Sequence, residues 1–192
     1  MTPFEYLITL VSVLAGLALA DLATSLHRLL RARARVRWDW APLLASLLAV
    51  LTVLQFWWAL FSGQDLGAYG RIAGFLPLMG QMLLLYLLNA AALPDAVPDE
   101  GIDLRRFYED NARYFWLLFA GYVSLVIAVA AVSRIAAGQG ILPVVQNLLA
   151  DALLMGAFLW LAFTRRRGVH AVVMVLCFVV FMASWWGLRL EG

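Results

Sequence analysis

Six apolar runs, each about 20 residues long, constrain this chain more than any other feature of its sequence. A helix of about 20 apolar residues crosses the roughly 30 Å hydrocarbon core of a bilayer at 1.5 Å per residue. Hydrophobic residues make up 65% of the chain and charged residues only 14%, too few to cover a water-soluble globule of this size. The sequence therefore predicts one integral membrane domain, residues 1–192, folded as an all-α polytopic bundle of six helices.

The predicted helices, in chain order, cover residues 4–30, 41–62, 72–93, 112–137, 141–163 and 169–190. The third connection (loop 3) runs from Pro94 to Asn111 and predicts a short interfacial helix before helix 4, with Asp103 as its N-cap. An apolar face on this short helix would be formed by Leu104, Phe107, Tyr108 and Phe115. We predict that it anchors in lipid headgroups, and docking of a cytoplasmic partner at loop 3 is the alternative.

Arginines predict the orientation, since cytoplasmic loops carry an excess of basic residues. The first, third and fifth connections hold eleven of them: Arg28, Arg31, Arg33, Arg35, Arg37, Arg105, Arg106, Arg113, Arg165, Arg166 and Arg167. The opposite side holds Arg71, Arg134 and Arg189. Both termini are therefore predicted to lie outside the cytoplasm. The eight tryptophans fall at predicted helix ends, as in an interfacial belt.

Several function classes lose support from missing residues. The chain has no lysine, which excludes a Schiff base and the lysine of a phosphate-binding loop. With Cys177 as the single cysteine and two histidines, it has neither an internal disulfide nor a His-Glu-x-x-His zinc motif. No enzyme motif is visible. Because topology explains the basic clusters, the expected partner is the lipid bilayer and not nucleic acid.

Polar residues within the apolar runs are the candidate functional residues, because a charge at the bilayer centre costs roughly 2.5–3.5 kcal/mol on insertion scales. The candidates are Asp21, Ser25, Arg28, Gln55, Gln81, Asn89, Gln146, Asn147 and Asp151. Asp151, near the middle of helix 5, is the strongest. It either lines a hydrated path that takes up a proton or cation, or is protonated and bonded to an amide. Asp21 also has a structural alternative to a functional role, in which it belongs to a polar strip of helix 1 and Arg28 reaches back to it.

A second face of helix 1 carries small residues at four-residue steps, Ser12, Gly16 and Ala20. Such a seam lets another helix approach closely. We predict that it packs inside the chain, and a homo-oligomer interface is the alternative.

Two histidines, His27 and His170, fall at the predicted cytoplasmic ends of helices 1 and 6. At equal depth they could ligate a haem or a metal ion. We interpret them as ordinary helix-end residues and predict no cofactor.

Two short strings carry a resemblance to known proteins. Phe4-Glu5-Tyr6-Leu7 opens helix 1, and Asp103-Leu104-Arg105-Arg106-Phe107-Tyr108 leads into helix 4. They resemble an uncharacterised family of small bacterial six-helix inner-membrane proteins. The resemblance implies a bacterial inner membrane and brings no activity and no site residues with it.

Three function classes follow from these observations. The first is a channel or small transporter for an ion or small solute that uses the intramembrane carboxylates. The second is a structural or assembly protein that acts through helix–helix contacts. The third is a membrane enzyme or a haem- or quinone-linked electron carrier that uses His27 and His170.

Overall fold

The computed structural model describes residues 3–62 and 72–185. Six helices in these ranges are long and apolar enough to cross a membrane, and the chain is a multi-pass membrane protein. Their bounds are α1 Pro3–Arg31, α2 Trp40–Ser62, α3 Ile72–Ala92, α4 Leu104–Ala136, α5 Ile141–Phe163 and α6 Arg167–Trp185. The predicted all-α bundle is confirmed. The predicted end of helix 6, at 190, lies outside the described residues.

Helix α4 is a single helix of 33 residues, in which the predicted short helix and the predicted span of helix 4 are continuous. Asp103 caps it as predicted, since its Oδ1 atom accepts hydrogen bonds from the backbone N–H groups of Arg105, at 2.9 Å, and Arg106, at 3.2 Å. No proline interrupts residues 104–136, so the helical hydrogen bonds continue. The helix is roughly 50 Å long and extends beyond a bilayer core of about 30 Å.

The two loops at this end of the bundle pair with each other. Strand β1, Val36–Arg37, lies parallel to strand β2, Ile102–Asp103, and the Arg35 guanidinium donates to the Asp99 carboxylate at 3.2 Å. Gly101 precedes β2 with φ +90°, and a Cβ atom at this position would meet the carbonyl oxygen of Arg35. Glycine therefore allows the close approach of the two loops.

Three of the four residues predicted to form an apolar face at the start of α4 pack inside the protein. Leu104, Tyr108 and Phe115 are buried, under neighbours that include β1 and His170 of α6. Trp116 is buried as well, with 0% of its surface exposed, although its position predicted an interfacial residue. The added length of α4 thus provides internal contacts.

Loop 5, which connects α5 to α6, is tied to loop 1, which connects α1 to α2, by an ion pair at the first residue of α6. The Arg167 guanidinium donates to both carboxylate oxygens of Asp39, at 2.6 and 2.8 Å. Partial burial alone would raise the pKa of Asp39, but the hydrogen bonds from Arg167 and from the backbone N–H of Ala41, together with the charge of Arg167, outweigh burial and lower the pKa. The arginine-rich loops 1, 3 and 5 therefore share one face, called here the arginine face.

The lowered pKa of Asp39 predicts a loss of stability in acid. A carboxyl whose pKa is lower in the folded state stabilises the fold above its unfolded value, 3.8, and loses that contribution as the pH falls through the folded value. Asp39→Asn should lower stability by about 1 kcal/mol at pH 7, as for partly exposed ion pairs. Melting temperatures in detergent should differ between the two proteins at pH 7 and differ less at pH 3, below the unfolded pKa of 3.8. An unchanged difference at both pH values would contradict the prediction.

Packing is uneven around the bundle. Helix α4 contacts α2, α3 and α5, while α1 packs on α3 and α2, and α6 packs on α2 and α5. The first half of α5 is largely exposed on its outer side, at Leu142, Val145, Leu149 and Leu153.

The small-residue seam of α1 is only partly used. Ser12 accepts a hydrogen bond from the indole N–H of Trp57 on α2, at 3.0 Å. A Cβ atom added at Gly16 would have nothing within 4 Å, and Ala20 is exposed. Among the described residues, no neighbouring helix packs on Gly16, so the predicted packing inside the chain is not found there. The homo-oligomer alternative stays a prediction.

Candidate functional site

A cavity of about 590 Å³, called here the mid-span cavity, lies between α2, α3, α4, α5 and α6 on the side of the bundle away from the arginine face. Its walls are mostly apolar, as is typical of sites for small ligands. The polar side chains that line it are Thr52, Gln55, Gln81, Tyr122 and Asp151. The strongest candidate from the sequence, Asp151, therefore faces a cavity.

Three of the predicted residues meet at this cavity, one from each of three helices. Asp151 lies ten residues into α5, and Gln55 and Gln81 lie in the interiors of α2 and α3. Asp151 is half-buried and Gln81 is buried. Within residues 3–62 and 72–185, Asp151 makes no ion pair with a basic side chain. The Asp151 carboxylate can bind a proton or a small cation, and the two amides place further acceptors on the same cavity wall.

Thr52 and Tyr122 were missed by the sequence analysis. The Thr52 hydroxyl donates to the carbonyl oxygen of Leu48 at 2.8 Å. Its proton is therefore used within α2, while its oxygen can still accept a hydrogen bond from a ligand. Tyr122 is buried and its ring packs edge-on against Phe56, with centroids 6.4 Å apart. A tyrosine in the middle of an apolar run was the available signal.

Three other predicted residues do not join the cavity wall. Asn89 is buried and donates to the Leu85 carbonyl at 2.8 Å, while its own carbonyl oxygen has no partner among the described residues. Asn147 lies one turn before Asp151 on α5 and is exposed, as is Gln146. These amides lie outside the mid-span cavity.

Asp21 belongs to a different opening. It lines a groove of about 580 Å³ between α1 and α3, together with Thr24 and Tyr86. The predicted strip in which Arg28 reaches back to Asp21 is wrong, since Arg28 extends to loop 3 and donates to the carbonyl oxygen of Asp95 at 2.5 Å. Ser25, predicted to lie on that strip, is buried.

An aromatic layer lies at the end of the mid-span cavity toward the arginine face. It consists of Trp116, Phe119 and Phe158, all buried. The Phe119 and Phe158 ring centroids are 4.4 Å apart, and Trp116 lies 5.3 Å from Phe158. Beyond this layer, between α4 and the connection from α5 to α6, lies a further cavity of about 610 Å³, called here the arginine cavity.

The buried histidine is held by a hydrogen-bonded chain beneath the aromatic layer. His170 Nε2 donates to the Thr164 carbonyl oxygen at 3.0 Å, because a carbonyl can only accept. His170 Nδ1 therefore accepts from the Tyr108 hydroxyl at 2.8 Å, and the Trp116 indole N–H donates to the Tyr108 oxygen at 3.0 Å. Both ring nitrogens are thus engaged.

The two histidines are in different surroundings. His27 is exposed on α1, whereas His170 is 4% exposed and both of its ring nitrogens are bonded. Ligation of a haem iron would require His170 to give up one of these bonds. His170 lies in the first turns of α6, as the helix-end interpretation has it, and it is also buried, because α4 is long enough to bring Tyr108 against it.

Comparisons with protein-family models, with curated proteins and with solved structures found no match to this chain. The candidate site therefore rests on the geometry of the mid-span cavity.

Proposed function

We propose that this chain is a channel or small transporter in which Asp151 binds a proton or a small cation. The observation that supports the proposal is the mid-span cavity of about 590 Å³, with Asp151, Gln55 and Gln81 on its wall. An acidic side chain in a transmembrane helix is costly and typically faces a cavity or a partner that serves function. Asp151 faces such a cavity.

Chemistry of the cavity wall favours a positively charged or proton-donating solute. The carboxylate accepts hydrogen bonds, and the carbonyl oxygens of the two glutamines are further acceptors. Low-dielectric walls such as Phe56 and Val126 strengthen the attraction between Asp151 and a cation. With no basic side chain paired to it among the described residues, Asp151 is left to interact with the solute.

The proposal places the chain in a bacterial inner membrane, with the arginine face toward the cytoplasm and both termini outside. Eleven of the fourteen arginines lie in the three connections at that face or in the helix ends beside them. Such an excess is typical of cytoplasmic loops. The resemblance of the two short strings to bacterial inner-membrane proteins agrees with this location.

Asp151→Asn tests the proposal. Purified protein is reconstituted into liposomes that contain a pH-sensitive dye, and a potassium diffusion potential drives proton entry. Parallel liposomes measure uptake of radioactive sodium. The wild-type protein should transport at least one of these ions faster than protein-free liposomes do. Asp151→Asn should reduce that rate to the protein-free level, because an amide cannot ionise.

Two variants control for folding. Asp21→Asn makes the same chemical change in the groove between α1 and α3, and it should leave the rate unchanged. Asp151→Glu retains the carboxylate and should retain part of the rate. Equal rates for wild-type and protein-free liposomes, or equal rates for wild-type and Asp151→Asn protein, would contradict the proposal.

A further inference from the structure

The arginine cavity lies on the opposite side of the aromatic layer from Asp151. What this cavity binds is independent of the function proposed for Asp151. It has a volume of about 610 Å³ and is bounded by the first turns of α4, the end of α5 and loop 5. Its charged lining residues are Arg105, Arg113, Arg165, Arg167, Glu109 and Asp110. The remaining lining includes Tyr108, Phe163, Thr164 and His170.

Part of this charge is neutralised inside the protein. Arg105 Nε lies 3.0 Å from a Glu109 carboxylate oxygen. Arg167 is held by Asp39 at 2.6 Å and is also within 4.0 Å of Glu109.

Asp110 lies 3.9 Å from Arg106, which is outside the cavity lining. The acidic groups of the cavity are therefore engaged by cations other than Arg113 and Arg165.

Two guanidinium groups remain available to a ligand. Arg113 and Arg165 have no ion pair within the described part of the chain, and both are exposed. The guanidinium carbon of Arg113 lies 5.2 Å from the centre of the Phe163 ring, a cation–π contact that keeps its charge at the cavity. The cavity thus offers two unpaired positive charges.

The two buried polar side chains of the cavity, Tyr108 and His170, are already used. Tyr108 and His170 bond to each other, and His170 also bonds to the Thr164 carbonyl oxygen. An incoming group would therefore be recognised through charge-assisted bonds from guanidiniums, which suit the oxygens of a phosphate.

Apolar residues beside the cavity indicate where the rest of the ligand lies. Phe163 is 65% exposed and Trp160 is 59% exposed on the last turns of α5. A large apolar surface next to cationic groups at a membrane boundary matches a molecule with a charged head and acyl chains. A free phosphate ion would leave this surface uncovered.

We propose that the arginine cavity binds the phosphate headgroup of an anionic phospholipid between Arg113 and Arg165. The acyl chains lie along the end of α5, against Phe163 and Trp160. The aromatic layer prevents the headgroup from reaching the mid-span cavity.

Native mass spectrometry of the delipidated protein in detergent tests this proposal. The protein is titrated with phosphatidylglycerol, with phosphatidylcholine and with inorganic phosphate. The wild-type protein should bind phosphatidylglycerol about tenfold more tightly than phosphatidylcholine, because both lipids offer a phosphate but the choline cation of phosphatidylcholine is repelled by the two guanidiniums. The double variant Arg113→Gln, Arg165→Gln should lose this preference.

The matched control is Arg31→Gln, Arg33→Gln, which removes the same charge from exposed arginines of the same face outside the cavity. It should keep the preference for phosphatidylglycerol. If both double variants lost the preference for phosphatidylglycerol equally, the proposal would be overturned, because the preference would then come from unspecific attraction to the positive charge of the whole face. Binding of inorganic phosphate at the same concentrations as phosphatidylglycerol would overturn it in favour of a soluble anion. Equal affinity of the wild-type protein for the two lipids would also overturn it.

Discussion

Phe158→Ala is expected to destabilise the protein by about 3 kcal/mol, the low end of the range for Phe→Ala in a packed interior. Phe158 is 1% exposed and packs against Phe119 and Trp116 in the aromatic layer. Lipid tails are as apolar as the ring, so the loss comes from packing and from the empty space left behind. Unfolding by sodium dodecyl sulfate from mixed micelles, followed by circular dichroism, measures the change.

The control is Phe163→Ala, the same substitution one and a half turns further along α5. Phe163 is 65% exposed, and its loss should cost well under half as much. Equal destabilisation by both variants would mean that the layer contributes no more than a surface ring.

Phe158→Ala also tests whether the aromatic layer is a barrier to protons between the mid-span cavity and the arginine cavity. If Phe158 separates them, its removal should raise proton entry into the dye-loaded liposomes above the wild-type rate. Phe163→Ala should not have this effect. A Phe158→Ala protein that remains folded and has the wild-type rate of proton entry would show that the ring is no barrier to protons.

Gly101→Ala is expected to separate loop 1 from loop 3. Its φ of +90° is costly for any residue with a Cβ atom, by roughly 1–2 kcal/mol, and the new atom would also collide with the Arg35 carbonyl oxygen. Relief of that collision requires β1 and β2 to move apart, which costs about 1 kcal/mol more for each hydrogen bond lost. Hydrogen exchange of residues 32–39 and the melting temperature measure both effects.

Gly138→Ala is the matched control for backbone conformation. Gly138 has φ +79°, but a Cβ atom there would meet nothing within 4 Å. It should show the conformational cost alone, without faster exchange in loop 1. Identical behaviour of the two variants would refute a role for the close approach at Gly101.

The sequence predicted those features that depend on one segment at a time. The bounds of α5 follow from the length of an apolar run, and the N-cap of α4 follows from Asp103 and its two following N–H groups. Asn89 could also be understood locally, because an amide within a helix can bond to the carbonyl one turn earlier.

Features that depend on contacts between helices were not predictable in the same way. Trp116 has the sequence position of an interfacial tryptophan, and only the packing of α4 against α5 buries it. Gln55 and Gln81 were recognisable as polar residues in apolar runs, but their meeting with Asp151 depends on which helix faces turn inward. Gly16 was misjudged for the same reason, since a small residue permits a close contact without requiring one.

The contacts of the arginine face also impose an order on biosynthesis. A chain inserts from its N-terminus, so Val36 and Arg37 leave the ribosome long before the strand that pairs with them, Ile102–Asp103. Asp39 remains without its ion-pair partner for longer still, because Arg167 follows it by 128 residues. Helices α1 and α2 must therefore reside in the bilayer with the loop between them unpaired, and the face closes only after Arg167 at the start of α6 has been synthesised.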